Sequence, residues 1–125
     1  MTSSLIRTQG QSPMLPGAVT VGDMIFTSGL VAPAAFSAIG TGETVAPEVQ
    51  IADTLQLLAT TLDEAGTTLQ RVVRLEAFLS SADLTPIWNR HFQELWPVPG
   101  PARITLVARF TSPVIHFEVQ AIAAR

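Results

Sequence analysis

The chain has 125 residues, 47% hydrophobic and only 14% charged, with a formal net charge of -3 and a mean hydropathy of +0.37. All seven basic residues are arginine, and lysine, tyrosine and cysteine are absent. These absences remove a lysine Schiff base, a thiolate nucleophile, a disulfide, a zinc–thiolate site and a phenolic acid, leaving two histidines and ten carboxylates to move protons.

The length suits one domain spanning residues 1–125. A pI near 5.2 without a basic run argues against a surface that tracks nucleic-acid phosphates. A short chain this poor in charge either exposes apolar surface or covers it in an oligomer. No segment approaches the roughly 18 consecutive apolar residues of a membrane span. The first residues, Met-Thr-Ser-Ser-Leu-Ile-Arg, have no basic start followed by an apolar block. A cytoplasmic protein without membrane association is the expectation.

Leu5 to Thr8 reads as a short first strand. Ala18–Val21 and Met24–Thr27 flank Gly22-Asp23, a hairpin signal. Gln9–Gly17 and Pro33–Pro47 are rich in turn residues. Glu48 to Ala65 reads as a helix, because Ile51, Leu55, Leu58, Leu62 and Ala65 recur at helical spacing. Pro47 suits its first turn and Gly66 its end. Arg71 to Ser80 alternates as a strand. Pro86 to Leu95 is a second helix, with Thr85 as a cap. Arg103–Phe110 and Val114–Ala123 are the last strands, joined by a turn at Ser112-Pro113. The order β-β-β-α-β-α-β-β predicts a two-layer α+β domain, with a sheet of about six strands and two helices on one apolar face.

Alternation assigns Arg74, Glu76, Arg103, Thr105, Arg109, His116, Glu118 and Gln120 to the opposite, polar face. Pairing of the last two strands as a hairpin would bring Arg103 beside Glu118 or Gln120. Arginine binds a carboxylate through a planar fork, and a nearby glutamate can accept a proton from water. That set suits a small acidic substrate attacked by water; the same residues also suit solvated positions or ion pairs on an open sheet. His116 is a candidate general base. His91 falls on the apolar side of its helix as a packing residue, and Trp88 and Trp96 read as core. Two isolated histidines without cysteine speak against a metal site.

Several blocks together resemble the Rid (reactive intermediate deaminase) family, also called YjgF or L-PSP. They are Gly22-Asp23-Met24-Ile25-Phe26-Thr27-Ser28-Gly29, Leu62-Asp63-Glu64-Ala65-Gly66, Trp88-Asn89, Pro101-Ala102-Arg103 and Phe117-Glu118-Val119-Gln120-Ala121-Ile122-Ala123. The resemblance implies a chorismate mutase-like fold, a homotrimer whose three sheets form a central barrel, and ligand clefts between subunits. It implies hydrolysis of enamines or imines of amino acids to 2-oxo acids and ammonia, as in 2-iminobutanoate/2-iminopropanoate deaminases, with neither metal nor organic cofactor. In this resemblance Arg103 binds the substrate carboxylate and Glu118 positions or activates water. Ser28, Gly29, Asn89 and Thr105 match other pocket positions, and Leu15 stands near an aromatic position that is commonly tyrosine. Thr105 replaces a frequent cysteine. The stretch Pro33–Gly42 is longer than the usual turn, and Trp96-Pro97-Val98-Pro99-Gly100 reshapes the approach to Arg103. A non-catalytic trimer that binds small carboxylates is the alternative reading. An endoribonuclease or translation inhibitor, a label that travels with the family, is poorly supported by a chain without lysine or a basic patch.

Overall fold

A computed structural model describes residues 4–97 and 99–125. Val98, in the loop before Arg103, lies outside the described residues. Six strands form one sheet: β1 (Leu5–Arg7), β2 (Ala18–Val21), β3 (Met24–Thr27), β4 (Val72–Leu79), β5 (Ala102–Val107) and β6 (Phe117–Ala124). Their order across the sheet is β1-β2-β3-β6-β4-β5. The helices are α1 (Pro33–Ala38), α2 (Pro47–Glu64) and α3 (Thr85–Leu95). The α+β class and the six-stranded sheet agree with the sequence pattern.

β2 and β3 form the expected hairpin, with Ala18 opposite Thr27 and Val21 opposite Met24. Gly22 supplies the positive φ of 57° that the tight turn requires. α2 starts at Pro47, whose missing N–H costs nothing in a first turn. It ends where Gly66 N–H donates to Asp63 C=O and Thr67 N–H donates to Leu62 C=O, a Schellman closure. Ile51, Leu55, Leu58 and Leu62 of α2 and Trp88 of α3 are buried against Leu75, Ala77 and Leu79 of β4 and Phe117, Val119, Ala121 and Ala123 of β6.

Three expectations change. First, the turn-rich stretch after Pro33 contains a helix, so three helices accompany the sheet instead of two. α1 has only six residues, too few to show a period. Its Ala35 and Ala38 pack with Val31, Ala32, Val114 and Ile115 in a small second core, and that tertiary burial stabilises a helix too short to stand alone.

Second, β5 and β6 are not a hairpin. β4 leads through α3 into β5, a crossover that makes β4 and β5 parallel neighbours, with β5 at the sheet edge. β6 lies between β3 and β4, antiparallel to both. Residues 108–116 form the long return between these two strands, so β5 stops at Val107 and β6 starts at Phe117. Thr85 is the first residue of α3, and the cap position falls on Leu84, whose side chain cannot cap.

Third, the faces of β5 are the reverse of those expected. Paired residues of adjacent strands point to the same side. Arg103 pairs with buried Leu75 and Thr105 with buried Ala77, which places both on the helix side. Ile104 and Leu106, expected in the core, share the open face with Glu76 and Phe78, and are 40% and 47% exposed.

The α2 layer is tied to the return segment by Gln50, which is fully buried. Its Nε2 donates to Val45 C=O (2.9 Å) and Val114 C=O (2.8 Å), and its Oε1 accepts from His116 N–H (2.9 Å). Replacement by Leu strands one donor and two acceptors in an apolar setting. Gln50→Leu is expected to lower the unfolding free energy by about 3 kcal/mol. Urea denaturation checks it; a loss below about 1 kcal/mol would show these groups finding other partners.

Candidate functional site

The sequence-predicted residues form two groups on opposite sides of the sheet. The first lies between edge strand β5 and α3. Arg103 Nη2 donates to Asn89 Oδ1 at 3.0 Å. The guanidinium lies 4.3 Å from the centroid of the Phe92 ring and 6.0 Å from that of Trp88. Thr105 Oγ1 accepts from Trp88 Nε1 at 3.0 Å. Asn89 and Phe92 are three residues apart on α3, so they present neighbouring side chains to β5. One clamps an edge of the guanidinium and the other supports its plane. Phe92 in turn packs on Trp88 and Trp96, with centroids 5.7 and 5.1 Å away. Arg103 remains exposed, with donors left for an anion.

The second group lies where β3 runs out beside β6. Leu30 N–H donates to Val119 C=O (2.8 Å) and Val119 N–H to Leu30 C=O (3.1 Å), which brings Gly29 against Glu118. A Cβ at Gly29 would collide with Glu118 Oε2 and stand 3.1 Å from its Cδ. The missing side chain leaves the Glu118 carboxylate its place, and backbone conformation makes no such demand, since Gly29 is not among the positive-φ residues. Burial raises the Glu118 carboxyl above the ordinary carboxylate range by disfavouring its charged form. Ser28 N–H donates to Gly17 C=O at 3.0 Å, and Gln11 bonds both backbone groups of Val31. These bonds tie the loop carrying Leu15 to the same side of the site. Leu15 is 41% exposed.

Arg103, Asn89 and Thr105 therefore come together, as do Ser28, Gly29 and Glu118. The two groups do not come together within one chain. Glu118 pairs with Phe78 and points to the open face, whereas Arg103 points to the helix side. This corrects the expectation that Arg103 and Glu118 share a face, and its cause is the parallel register of β5. Arg74, Glu76 and Gln120 do share the open face: Glu76 Oε1 pairs with Arg74 Nε at 3.4 Å, and its Oε2 accepts from Gln120 Nε2 at 3.1 Å. His116 Nδ1 lies 2.8 Å from Ser80 Oγ. His91 packs between helices with a buried Nε2 that has no partner among the described residues.

Sequence reading missed the role of Phe92 as the shelf beneath Arg103; its spacing from Asn89 is the signal that was available. It also missed Ser80, whose pairing with His116 spans 36 residues and has no local signature.

Comparison with known proteins shows the family of the chain. Residues 10–125 match the family model described as Endoribonuclease L-PSP. The chain belongs to that family, also known as YjgF. It is 32% identical over 112 residues to the mitochondrial protein mmf2 of Schizosaccharomyces pombe, an alignment that covers 86% of this chain and 84% of that protein. The fold matches a YjgF-family protein of Neisseria meningitidis at TM-score 0.80 and 24% identity, over 98% of this chain and 95% of the other. It also matches a YjgF/YER057c/UK114-family protein of Mycobacterium tuberculosis at TM-score 0.81 and 18% identity, over 98% and 100% of the two chains. Among the described residues of this L-PSP chain, no helix is long and apolar enough to cross a membrane.

Two outcomes are expected. Gly29→Ala should push the Glu118 carboxylate out of its niche, and the carboxyl pKa, followed by NMR, should fall back toward the ordinary range. Glu118→Gln tests the burial penalty through stability. A carboxyl with a raised folded pKa binds more protons in the folded state, so stability falls as pH rises through that pKa. Glu118→Gln should thus stabilise the protein at neutral pH. The advantage should shrink as pH falls through the raised pKa toward the ordinary carboxylate value. A difference independent of pH between 4 and 7 would contradict it.

Proposed function

We propose that this protein hydrolyses 2-imino acids and their enamine tautomers to 2-oxo acids and ammonia, at sites that take Arg103 from one copy of the chain and Glu118 from another. The observation that carries the proposal is the division of the site. A carboxylate-binding fork and a half-buried, weakened acid occupy opposite sides of one sheet, so a second copy is needed to bring them to one substrate. Exposed Ile104 and Leu106 on the edge strand, with Phe26 and Val73, offer apolar surface for that association. A homotrimer of the kind the family resemblance implies would supply it.

The chemistry follows from the residues. Arg103, held by Asn89 and supported by Phe92, binds the substrate carboxylate and orients the C=N bond. Glu118 accepts a proton from a water as its oxygen attacks the imine carbon. The nitrogen takes that proton, giving a carbinolamine. Glu118 then takes the hydroxyl proton and passes it to nitrogen, so that the C–N bond breaks as C=O forms and the carboxylate is left as it began. One water is consumed, and ammonia and the 2-oxo acid leave. An acid with a raised pKa suits both accepting and returning a proton near neutral pH. No step asks for a metal or an organic cofactor. Leu15, apolar and partly exposed on the loop beside Ser28–Val31, would present a side chain without a hydroxyl to the substrate.

The same division also supports a second reading: a trimer that binds small carboxylates at Arg103 without turning them over, with Leu15 in place of a polar group. Generating imino acids in situ with an amino acid oxidase and following their decay separates the two. Acceleration supports catalysis, and calorimetric binding of 2-oxo acids without acceleration supports the second reading. Arg103→Ala should reduce kcat/KM by about a hundredfold. Mixing Arg103→Ala and Glu118→Gln subunits, unfolded and refolded together, should restore up to about a quarter of native activity, since one site in four then combines both intact halves. Failure of the mixture to exceed either variant would overturn the shared site.

A further inference from the structure

We propose that a second ligand site lies beyond the carboxyl ends of β4 and β5, and that it takes a small carboxylate carrying an apolar side chain. The two strands are parallel, and they end together at Leu79 and Val107. Beyond these ends the chain turns away and leaves a crevice. Here the crevice is a cleft of about 560 Å3, within the range of small-molecule pockets.

Its lining suits that ligand. Val107, Phe110, Pro113 and Ile115 form apolar walls, and Arg109 and Ser80 supply the polar groups. Arg109 has no ion-pair partner among the described residues, so its charge is free for an anion. Ser80 is fixed from two sides: its N–H donates to His116 C=O at 3.0 Å, and its Oγ lies 2.8 Å from His116 Nδ1. With the hydrogen on Nδ1, the imidazole donates to Ser80 Oγ. The hydroxyl hydrogen is then free to donate into the cleft. Arg109 would take the carboxylate charge, Ser80 would bond one of its oxygens, and the apolar walls would hold the side chain.

The cleft is braced from behind. Gln50 holds Val114 and His116 from the buried side, and Ser112 Oγ accepts from Val114 N–H at 3.4 Å. Ile115 of the lining belongs to the second core, and Phe110 packs against it. The site is separate from the Arg103 clamp. Arg103 is not part of the lining, and β5 alone carries the chain about 13 Å from Arg103 to Val107.

The test uses the full-length Arg103→Ala protein, in which the first carboxylate clamp is absent, and calorimetry with three probes. Phenylacetate is expected to bind saturably. Benzyl alcohol, lacking the charge, and inorganic phosphate, lacking the apolar body, should each bind at least about tenfold more weakly. Adding Arg109→Gln, an exposed change that leaves the core intact, should weaken phenylacetate by about tenfold or more, and adding Ser80→Ala by a smaller factor. Amide NMR shifts on titration should concentrate at Ser80, Ala108, Phe110 and Ser112. Absence of phenylacetate binding, affinity unchanged by Arg109→Gln, phosphate binding as tightly as phenylacetate, or shifts centred elsewhere would each overturn the site. Imine turnover plays no part in these readouts, so they stand or fall separately from the deaminase reading.

Discussion

The α3 crossover sets β5 beside β4 in parallel, and the pairs Leu75–Arg103 and Ala77–Thr105 direct both polar side chains toward the helices. A shift of one residue would send Arg103 to the open face and bury Ile104 instead. Everything that concerns the candidate site depends on this register. It lets Arg103 reach Asn89 and Phe92, it separates Arg103 from Glu118, and it leaves an apolar outer edge at Ile104 and Leu106. The division of the site between two sides of the sheet and the apolar edge are one consequence seen twice.

Each of the two groups of candidate residues is held in place by its own means. Arginine is a long side chain, and fixing it costs conformational entropy. Asn89 and the Phe92 ring offset that cost with a hydrogen bond and a cation–π contact. Glu118 is positioned by the absence of a side chain at Gly29, whose backbone is anchored through the paired bonds of Leu30 and Val119. The same enclosure removes part of the solvent from the carboxylate and raises its pKa. Position and proton affinity therefore have a common origin in the close approach of β3 to β6.

The second core performs a different service. α1, the end of the β5–β6 return and the start of α2 meet around Gln50, which answers backbone groups from two segments at once. That converts a nine-residue connection between distant strands into a fixed wall. Both the Ser80–His116 pair and the cleft beside Arg109 rest on it.

Much of this was written in local pattern. The hairpin at Gly22, the amphipathic α2 between Pro47 and Gly66, the alternation of β4 and β6, and the order of elements follow from periods of 2 and 3.6 and from turn chemistry, which neighbouring residues decide among themselves. So do the identities of the groups able to do chemistry, because a chain without lysine, tyrosine or cysteine offers few. Strand pairing is another matter. Alternation says which residues of a strand share a face, but not which face meets the helices, and nothing near Arg103 announces that its partner is β4 instead of β6. Long-range contacts decided that, as they decided the six-residue α1, the Gly29–Glu118 approach and the Ser80–His116 bond. The low charge and high apolar content evident from composition thus acquired a location only in three dimensions, on the outer side of the edge strand.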